Sequence, residues 1–362
     1  MKRWIACMLA LILAVSMVAC GQQEASAPTE NTKPLPEPVV PAQKVIHVLV
    51  PEAKEGWQAK AAAVAAEAAE AIKAEGKHDV VVSTYTDAKA QQKLLEDLAA
   101  KSIKDGSLGV VVMPAAGDMD TVFAKLLEAN VSYAMADTIV DAAAAASVTN
   151  VICDQKAIGA ATAALLVQNG LTEEENVVIV QGLSGEEALR TEGFRLYLQG
   201  KLAHDGVMIE APWESLDNLV YSEMQGETVE SAENYFTTYM EDSDHADAKF
   251  LVTWDDAYML GILEALEGEK MDEDNKEEFL EGKPVMVSCG GSQALLDIMA
   301  GKTQNASAAS FGSLHTAVYP ADLLKIAVEA MAANLNGEVV PHEIVKTIAW
   351  ANAENASQYQ GY

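Results

Sequence analysis

An α/β fold with two doubly wound parallel-sheet lobes is predicted by three observations on this 362-residue chain. Short β-branched runs alternate with long Ala- and Leu-rich stretches from residue 45 to residue 335. The chain is longer than the roughly 250–300 residues at which a single core stops growing. The alternation restarts after Cys153, and each half holds enough strands for a sheet of its own. Strands separated by helices of this length build parallel βαβ units with right-handed crossovers.

In the first half, residues 45–50 read as strand and the Ala-rich stretch 57–74 as helix. Strand 80–85, helix 88–103, strand 109–113 and helix 118–129 follow. Strands 131–136 and 148–152 are separated by an alanine-rich loop at 141–146. The second half begins with helix 155–167, strand 177–181, helix 186–202 and strand 207–211. It continues with helix 223–240, strand 250–253 and helix 256–266. Strand 285–288, helix 293–300, strand 306–310 and helix 321–335 complete the pattern. Ligands of such sheets lie beyond the carboxyl ends of the strands, so a cleft between facing lobes is the expected site.

Composition narrows the function. Half of the residues are hydrophobic and 22% are charged, which excludes wholesale disorder. With 24 Lys and Arg against 54 Asp and Glu, the net charge of −30 excludes nucleic acid and anionic lipid as partners.

The amino terminus carries a targeting signal. Lys2 and Arg3 precede an apolar run from Trp4 to Ala19, too short and wrongly flanked for a spanning helix. The stretch Met17-Val18-Ala19-Cys20 resembles the lipobox of bacterial lipoproteins. That resemblance implies a signal peptide at 1–19 and acylation of Cys20, with palmitate among the attached chains. Residues 20–43 hold Pro28, Pro34, Pro36, Pro38 and Pro41, the composition of an extended tether. No later stretch is long enough to span, so the lipid anchor is the expected membrane contact.

Of the remaining cysteines, Cys153 and Cys289 follow β-like runs and read as buried strand ends. Whether they pair is left open by the sequence. No cofactor or metal motif is present: two cysteines without a nearby His do not make a metal site. The segment Met271-Asp272-Glu273-Asp274-Asn275 lacks the glycine of a calcium loop and reads as a solvated acidic insertion. Catalytic signatures are missing as well. Asp255 and Asp256 are adjacent and so point apart at a helix start. The six histidines are scattered singly, so the chain is not expected to be an enzyme.

Three local motifs in order carry a resemblance. They are Met135-Ala136-Asp137 at a strand end, Gly182-Leu183-Ser184-Gly185 leading through Arg190 to Glu192-Gly193-Phe194, and Trp254-Asp255-Asp256 before Leu260-Gly261. From about Lys44 to about Val345 the chain resembles the type I periplasmic binding proteins, the ribose- and galactose-binding group that feeds ABC transporters. The resemblance implies a periplasmic binding protein-like fold with a three-segment hinge. Its crossings are expected near Cys153, Ser310 and Val340. The N-terminal lobe then comprises 44–153 plus 311–340, and the C-terminal lobe 154–310 plus 341–362. It further implies a lipid-anchored, extracytoplasmic receptor at the cell membrane that captures a small polar ligand, a sugar, and delivers it to an ABC permease. A sensor subunit for a membrane kinase or chemoreceptor, a nucleoside receptor of the same fold and a structural lipoprotein are the alternatives.

By the same resemblance, Asp137 accepts sugar hydroxyls, and Arg190 donates a two-pronged fork. Asp137 otherwise caps the turn before Thr138, and Arg190 otherwise pairs with Glu186 or Glu187. Trp57 falls near the ligand-stacking aromatics, or staples the helix start; Glu52, Lys54 and Glu55 share its loop. Trp254 stands where the family has a hydrogen-bonding Asn, with Asp255 next, and Trp213 lies in a loop facing the cleft or packs in the core. Three positions depart from the pattern. Thr138 replaces an Arg, Cys289-Gly290-Gly291 replaces an acidic turn, and Ser310, with Phe311 beside it, replaces an amide. The expected ligand-binding set is Trp57, Asp137, Arg190, Trp254, Asp255 and Ser310.

Overall fold

Two six-stranded sheets, one per lobe, carry the site at the carboxyl ends of their strands. The computed structural model describes residues 44–362, apart from 106–107, 116–118, 183, 225, 227, 243–244 and 246. The signal peptide expected at 1–19, the acylation expected at Cys20 and the tether expected at 20–43 fall outside the described residues. Among the described residues, no helix is long and apolar enough to cross a membrane.

The first sheet contains β1 (Lys44–Pro51), β2 (His78–Tyr85), β3 (Leu108–Val112), β4 (Ser132–Ala136), β5 (Asn150–Cys153) and β11 (Glu343–Lys346). Their order is β11-β5-β4-β3-β1-β2, and every pairing is parallel. Successive strand side chains face opposite ways. Ile46, Val48 and Val50 therefore pack with α1 (Gly56–Ala74) and α12 (Leu323–Leu335) on one face. Leu49, Val110 and Val112 pack on the other with α2 (Ala88–Asp105) and α3 (Asp120–Glu128). A four-residue helix, α4 (Asp141–Ala144), forms within the alanine-rich segment expected as loop.

The second sheet contains β6 (Val177–Gln181), β7 (Leu219–Glu223), β8 (Phe250–Thr253), β9 (Val285–Gly290), β10 (Ser313–Val318) and β12 (Ala349–Ala351). The order is β12-β10-β9-β8-β6-β7, with only β12 antiparallel. Val177, Ile179 and Val252 pack with α5 (Gln155–Gln168) and α6 (Gly185–Leu198). Val178, Val180 and Leu251 pack with α7 (Val229–Tyr239) and α8 (Asp256–Glu267). Shorter helices α9 (Glu273–Glu281), α10 (Gln293–Met299) and α11 (Ala306–Ser310) complete this lobe.

The helices α5 and α6 lie unusually close. A Cβ on Gly159 would stand 1.9 Å from the Arg190 carbonyl oxygen, and one on Gly193 would stand 2.0 Å from that of Lys156. Only glycine permits this backbone contact.

Several expectations are corrected. Residues 207–211 make only an isolated bridge between His204 and Val207, and the sheet edge is β7 instead. Val207 and Met208 are exposed and Pro212 ends the run, so it has no sheet to join. Residues 306–310 are α11, not a strand: the run is Ala- and Ser-rich, and the Asn305 side chain caps it at Ala308 N, 2.7 Å. The strand is β10, just beyond it. The acidic insertion leads into α9, where Asp272 caps Asp274 N and Asn275 N at 3.1 Å.

These shifts move two of the three crossings. The chain leaves the first sheet after Cys153, where Asp154 caps α5. It returns between β10 and α12, at residues 319–322, rather than near Ser310. It crosses last between β11 and β12, at residues 347–348, rather than near Val340. The stretch 313–318 thus belongs to the second sheet and 343–346 to the first, opposite to the expected lobe boundaries.

Candidate functional site

Asp137 follows β4 and adopts φ of 67°, a left-handed conformation that Asp tolerates better than most residues. Its amide donates to the Val151 carbonyl, 2.8 Å, so the turn is tied to the neighbouring strand. One carboxylate oxygen, Oδ1, accepts from the Tyr319 hydroxyl at 2.7 Å. Tyr319 stands at the second crossing, directly after β10. The Gln155 amide donates to the same hydroxyl at 2.9 Å, from the first turn of α5. Asp137, Tyr319 and Gln155 thereby join two of the chain crossings in one hydrogen-bonded chain.

Arg190 enters from α6. Its Nε donates to Gln155 Oε1 at 2.8 Å and its Nη1 to the Trp254 carbonyl at 2.6 Å. The guanidinium lies 5.5 Å from the centre of the Tyr319 ring, within cation–π range. Among the described residues it forms no salt bridge with Glu186 or Glu187. Burial pulls its pKa down, but Cys289, Tyr319, Glu187 and Asp255 around it together outweigh this and hold it above its ordinary value. The side chain is therefore a permanently charged donor inside the fold.

Trp57 packs edge-on against Tyr319, with ring centres 5.3 Å apart at 71°. Its indole N–H donates to the Pro320 carbonyl at 3.3 Å. Trp254 is buried against Phe194, its indole N–H donating to Thr191 Oγ1 at 2.7 Å. Trp254 thus serves Arg190 through its carbonyl, while most of its ring belongs to the core. Asp255 caps α8 through Ala257 N, 2.7 Å. Asp256 turns the other way and accepts from Ser288, Thr316, Gly291 N and Ser292 N, binding strand ends together.

These side chains enclose a cavity of about 280 Å³ between the lobes. Trp57, Asp137, Arg190, Trp254 and Asp255 line it, so five of the six expected residues meet in one place. Ser310 does not. It is exposed on α11, donates to the Ala306 carbonyl at 3.1 Å, and borders a surface hollow beside α9. Its expected place rested on the misassigned strand. Trp213 packs in the core beside α5 and α6 and does not line the cavity. A second hollow of about 630 Å³ opens beside the first and shares Trp57, Asp137, Ser184 and Glu186 with it. Glu52 borders that second hollow; Lys54 and Glu55 border neither.

The sequence reading omits Gln155, Tyr319, Glu186, Glu187, Tyr258 and Tyr362 from the site, although all but Gln155 line the cavity. Tyr319-Pro320 directly after a strand was the available signal, hidden by placing that strand too early. Glu187 accepts from Gly182 N and from the Tyr258 hydroxyl, the latter at 3.2 Å. Across the cleft, Thr138 of the first lobe donates to Glu186 Oε1 of the second at 3.3 Å.

Burial raises both cavity aspartates. Asp137 is pushed up to about 6, with Glu186 adding to the effect and the Tyr319 hydrogen bond opposing it. Asp255 is likewise pushed up to about 6 by burial, and neighbouring Asp256 and Glu187 add to it. Cys153 and Cys289 are buried free thiols that burial pushes up to about 12 and about 11. Among the described residues no group of His, Cys, Asp and Glu is arranged to hold a metal ion.

The periplasmic binding protein domain family matches residues 46–338. No curated protein matches the chain significantly. Among solved structures, the chain is similar to a periplasmic ribose ABC transporter protein from Conexibacter woesei, at 17% identity and TM-score 0.65, covering 87% of this chain and 94% of that one. It is also similar to a galactofuranose binding protein, at 14% identity and TM-score 0.64, covering 87% and 96%. An ABC transporter solute binding protein from Actinobacillus succinogenes with bound D-allose gives 17% identity and TM-score 0.61, covering 87% and 100%. At these identities the likeness is one of fold. With paired parallel sheets, three crossings and a family match over most of its length, the chain belongs to the type I periplasmic binding proteins.

Proposed function

We propose that this protein is an extracytoplasmic solute receptor, anchored to the cell membrane by lipid on Cys20, that captures a sugar between its lobes and delivers it to an ABC permease. The observation that carries the reading is the cavity of about 280 Å³, walled by both lobes and by a crossing residue. That volume lies just below the roughly 300–1,000 Å³ of pockets for drug-sized ligands, which suits a ligand as small as a monosaccharide. Its chemistry fits a polyol. Carboxylates accept from hydroxyl pairs, a fixed guanidinium donates, and aromatic rings cover apolar C–H faces. Tyr319 and Gln155 couple this wall to two crossings, so a bound ligand favours the closed arrangement by hinge bending.

The test is a thermal-shift screen with pentoses, hexoses, polyols, nucleosides and amino acids. A ligand at 100 times its Kd stabilises the native state by about 2.7 kcal/mol, a readily measured shift in Tm. A response confined to sugars supports the reading. A response to nucleosides alone replaces the cargo, and silence across the panel overturns it. Anchoring is tested separately: Cys20→Ser should release the protein from the membrane fraction.

A further inference from the structure

We propose that the ligand carries a protonated amine, as an amino sugar or aminopolyol does, and that its ammonium sits against Trp57 between Asp137 and Glu186. This deepens the receptor reading above and rests on it. The two joined hollows are strongly acidic. Their walls hold Glu52, Asp87, Asp137, Glu186, Glu187 and Asp255 against a single cation, Arg190. That cation is directed to neutral acceptors, the Gln155 amide oxygen and the Trp254 carbonyl. Among the described residues, no Lys or Arg lies within salt-bridge distance of Asp137, Glu186 or Asp255.

Asp255 is held to its helix start and Glu187 to Gly182 and Tyr258. Asp137 and Glu186 stand on opposite lobes, and each borders both hollows. One oxygen of each accepts a neutral donor, from Tyr319 and Thr138 respectively, and the second oxygen of each is open to a ligand. Trp57 and Ser184 complete the shared wall. Closing two lobes over like charges is unfavourable while nothing neutralises them. Sugar hydroxyls would satisfy the oxygens as acceptors but would leave the charge. An ammonium does both, and it gains further from the face of an indole.

Isothermal titration of the full chain in mild detergent would decide the matter. The probes are hexoses, their amino counterparts with the amine at C2, C3, C4 or C6, and the N-acetyl forms. At least one amino sugar should bind at least tenfold more tightly than its hydroxyl and N-acetyl partners. Glu186→Gln should shrink that preference to within about threefold. Asp137→Asn, an isosteric change, provides a second reading should Glu186→Gln fold poorly, and it should shrink the preference likewise. Neutral sugars that bind as tightly as every amino counterpart would overturn the inference and leave the sugar receptor standing. An undiminished preference in both variants would overturn the assigned position. No binding by any probe would overturn the sugar-receptor reading itself.

Discussion

The Tyr319 hydroxyl donates to Asp137 Oδ1 at 2.7 Å while the Arg190 guanidinium lies 5.5 Å from the centre of the same ring. One residue at a chain crossing thus touches the acid of one lobe and the cation of the other. Tyr319→Phe keeps the ring and removes the donor. A hydrogen bond to a charged group contributes roughly 1.5–3 kcal/mol, so ligand affinity should fall about 10- to 100-fold by titration calorimetry. Unchanged affinity would mean that the hydroxyl does not orient Asp137.

Arg190→Ala should abolish ligand binding and also lower the Tm of the ligand-free protein. The guanidinium holds Gln155 and the Trp254 carbonyl, and its removal leaves buried acceptors without a donor, at about 1–3 kcal/mol. From the sequence alone, an Arg190 that only grips ligand would be lost with Tm nearly unaltered. A melt of the variant separates these outcomes.

The ligand-free protein should lose stability as pH rises from about 4 to about 6. Asp137 and Asp255 are both pushed up to about 6, above the roughly 3.9 of an unfolded Asp. A carboxyl raised on folding favours the native state while protonated. Its contribution is complete below about pH 4 and is lost as pH climbs through about 6. Asp137→Asn should flatten the Tm profile over that window, and a profile of unchanged slope would refute the assignment.

The thiols of Cys153 and Cys289, raised to about 12 and about 11, are protonated at neutral pH. Since the thiolate is the nucleophile, neither should react appreciably with iodoacetamide in the folded protein at neutral pH. Both should react once guanidinium unfolds it. Rapid labelling of the native state, read by mass spectrometry, would contradict their burial.

Gly193→Ala should destabilise the second lobe and weaken ligand binding together. Its Cβ would stand 2.0 Å from the Lys156 carbonyl oxygen, so α5 and α6 must separate. Overpacking of this kind costs about 1–3 kcal/mol, visible in a thermal melt. Gly170→Ala tests a different effect, because its φ of 96° strains any side chain while no atom lies within 4 Å of its Cβ.

The strand–helix alternation was legible because β1, β6 and β8 are dominated by apolar, largely β-branched residues and α1 and α5 are rich in alanine. Five cavity residues were legible because motifs at strand ends keep their local spacing. The crossings were not. A short Ala- and Ser-rich segment at 306–310 has no periodicity that separates helix from strand, and its Asn305 cap decided the outcome. Misplacing that strand hid Tyr319, and with it the link to Asp137. Tyr362 was invisible for another reason. It reaches the cavity through a hydrogen bond between Gln293 N and its own carbonyl, a contact between residues 69 positions apart that no local pattern announces.

The glycine contact between α5 and α6 has a mechanical meaning. Neither helix can slide along the other without colliding backbones, so the pair moves as one lever. Its near end is fixed at the first crossing, where Asp154 caps α5, and its far helix carries Arg190. In the proposed receptor, rotation about the hinge would therefore be carried to the guanidinium with little slip between these helices. On that reading, the opening angle of the lobes and the position of the cation would form a single coordinate.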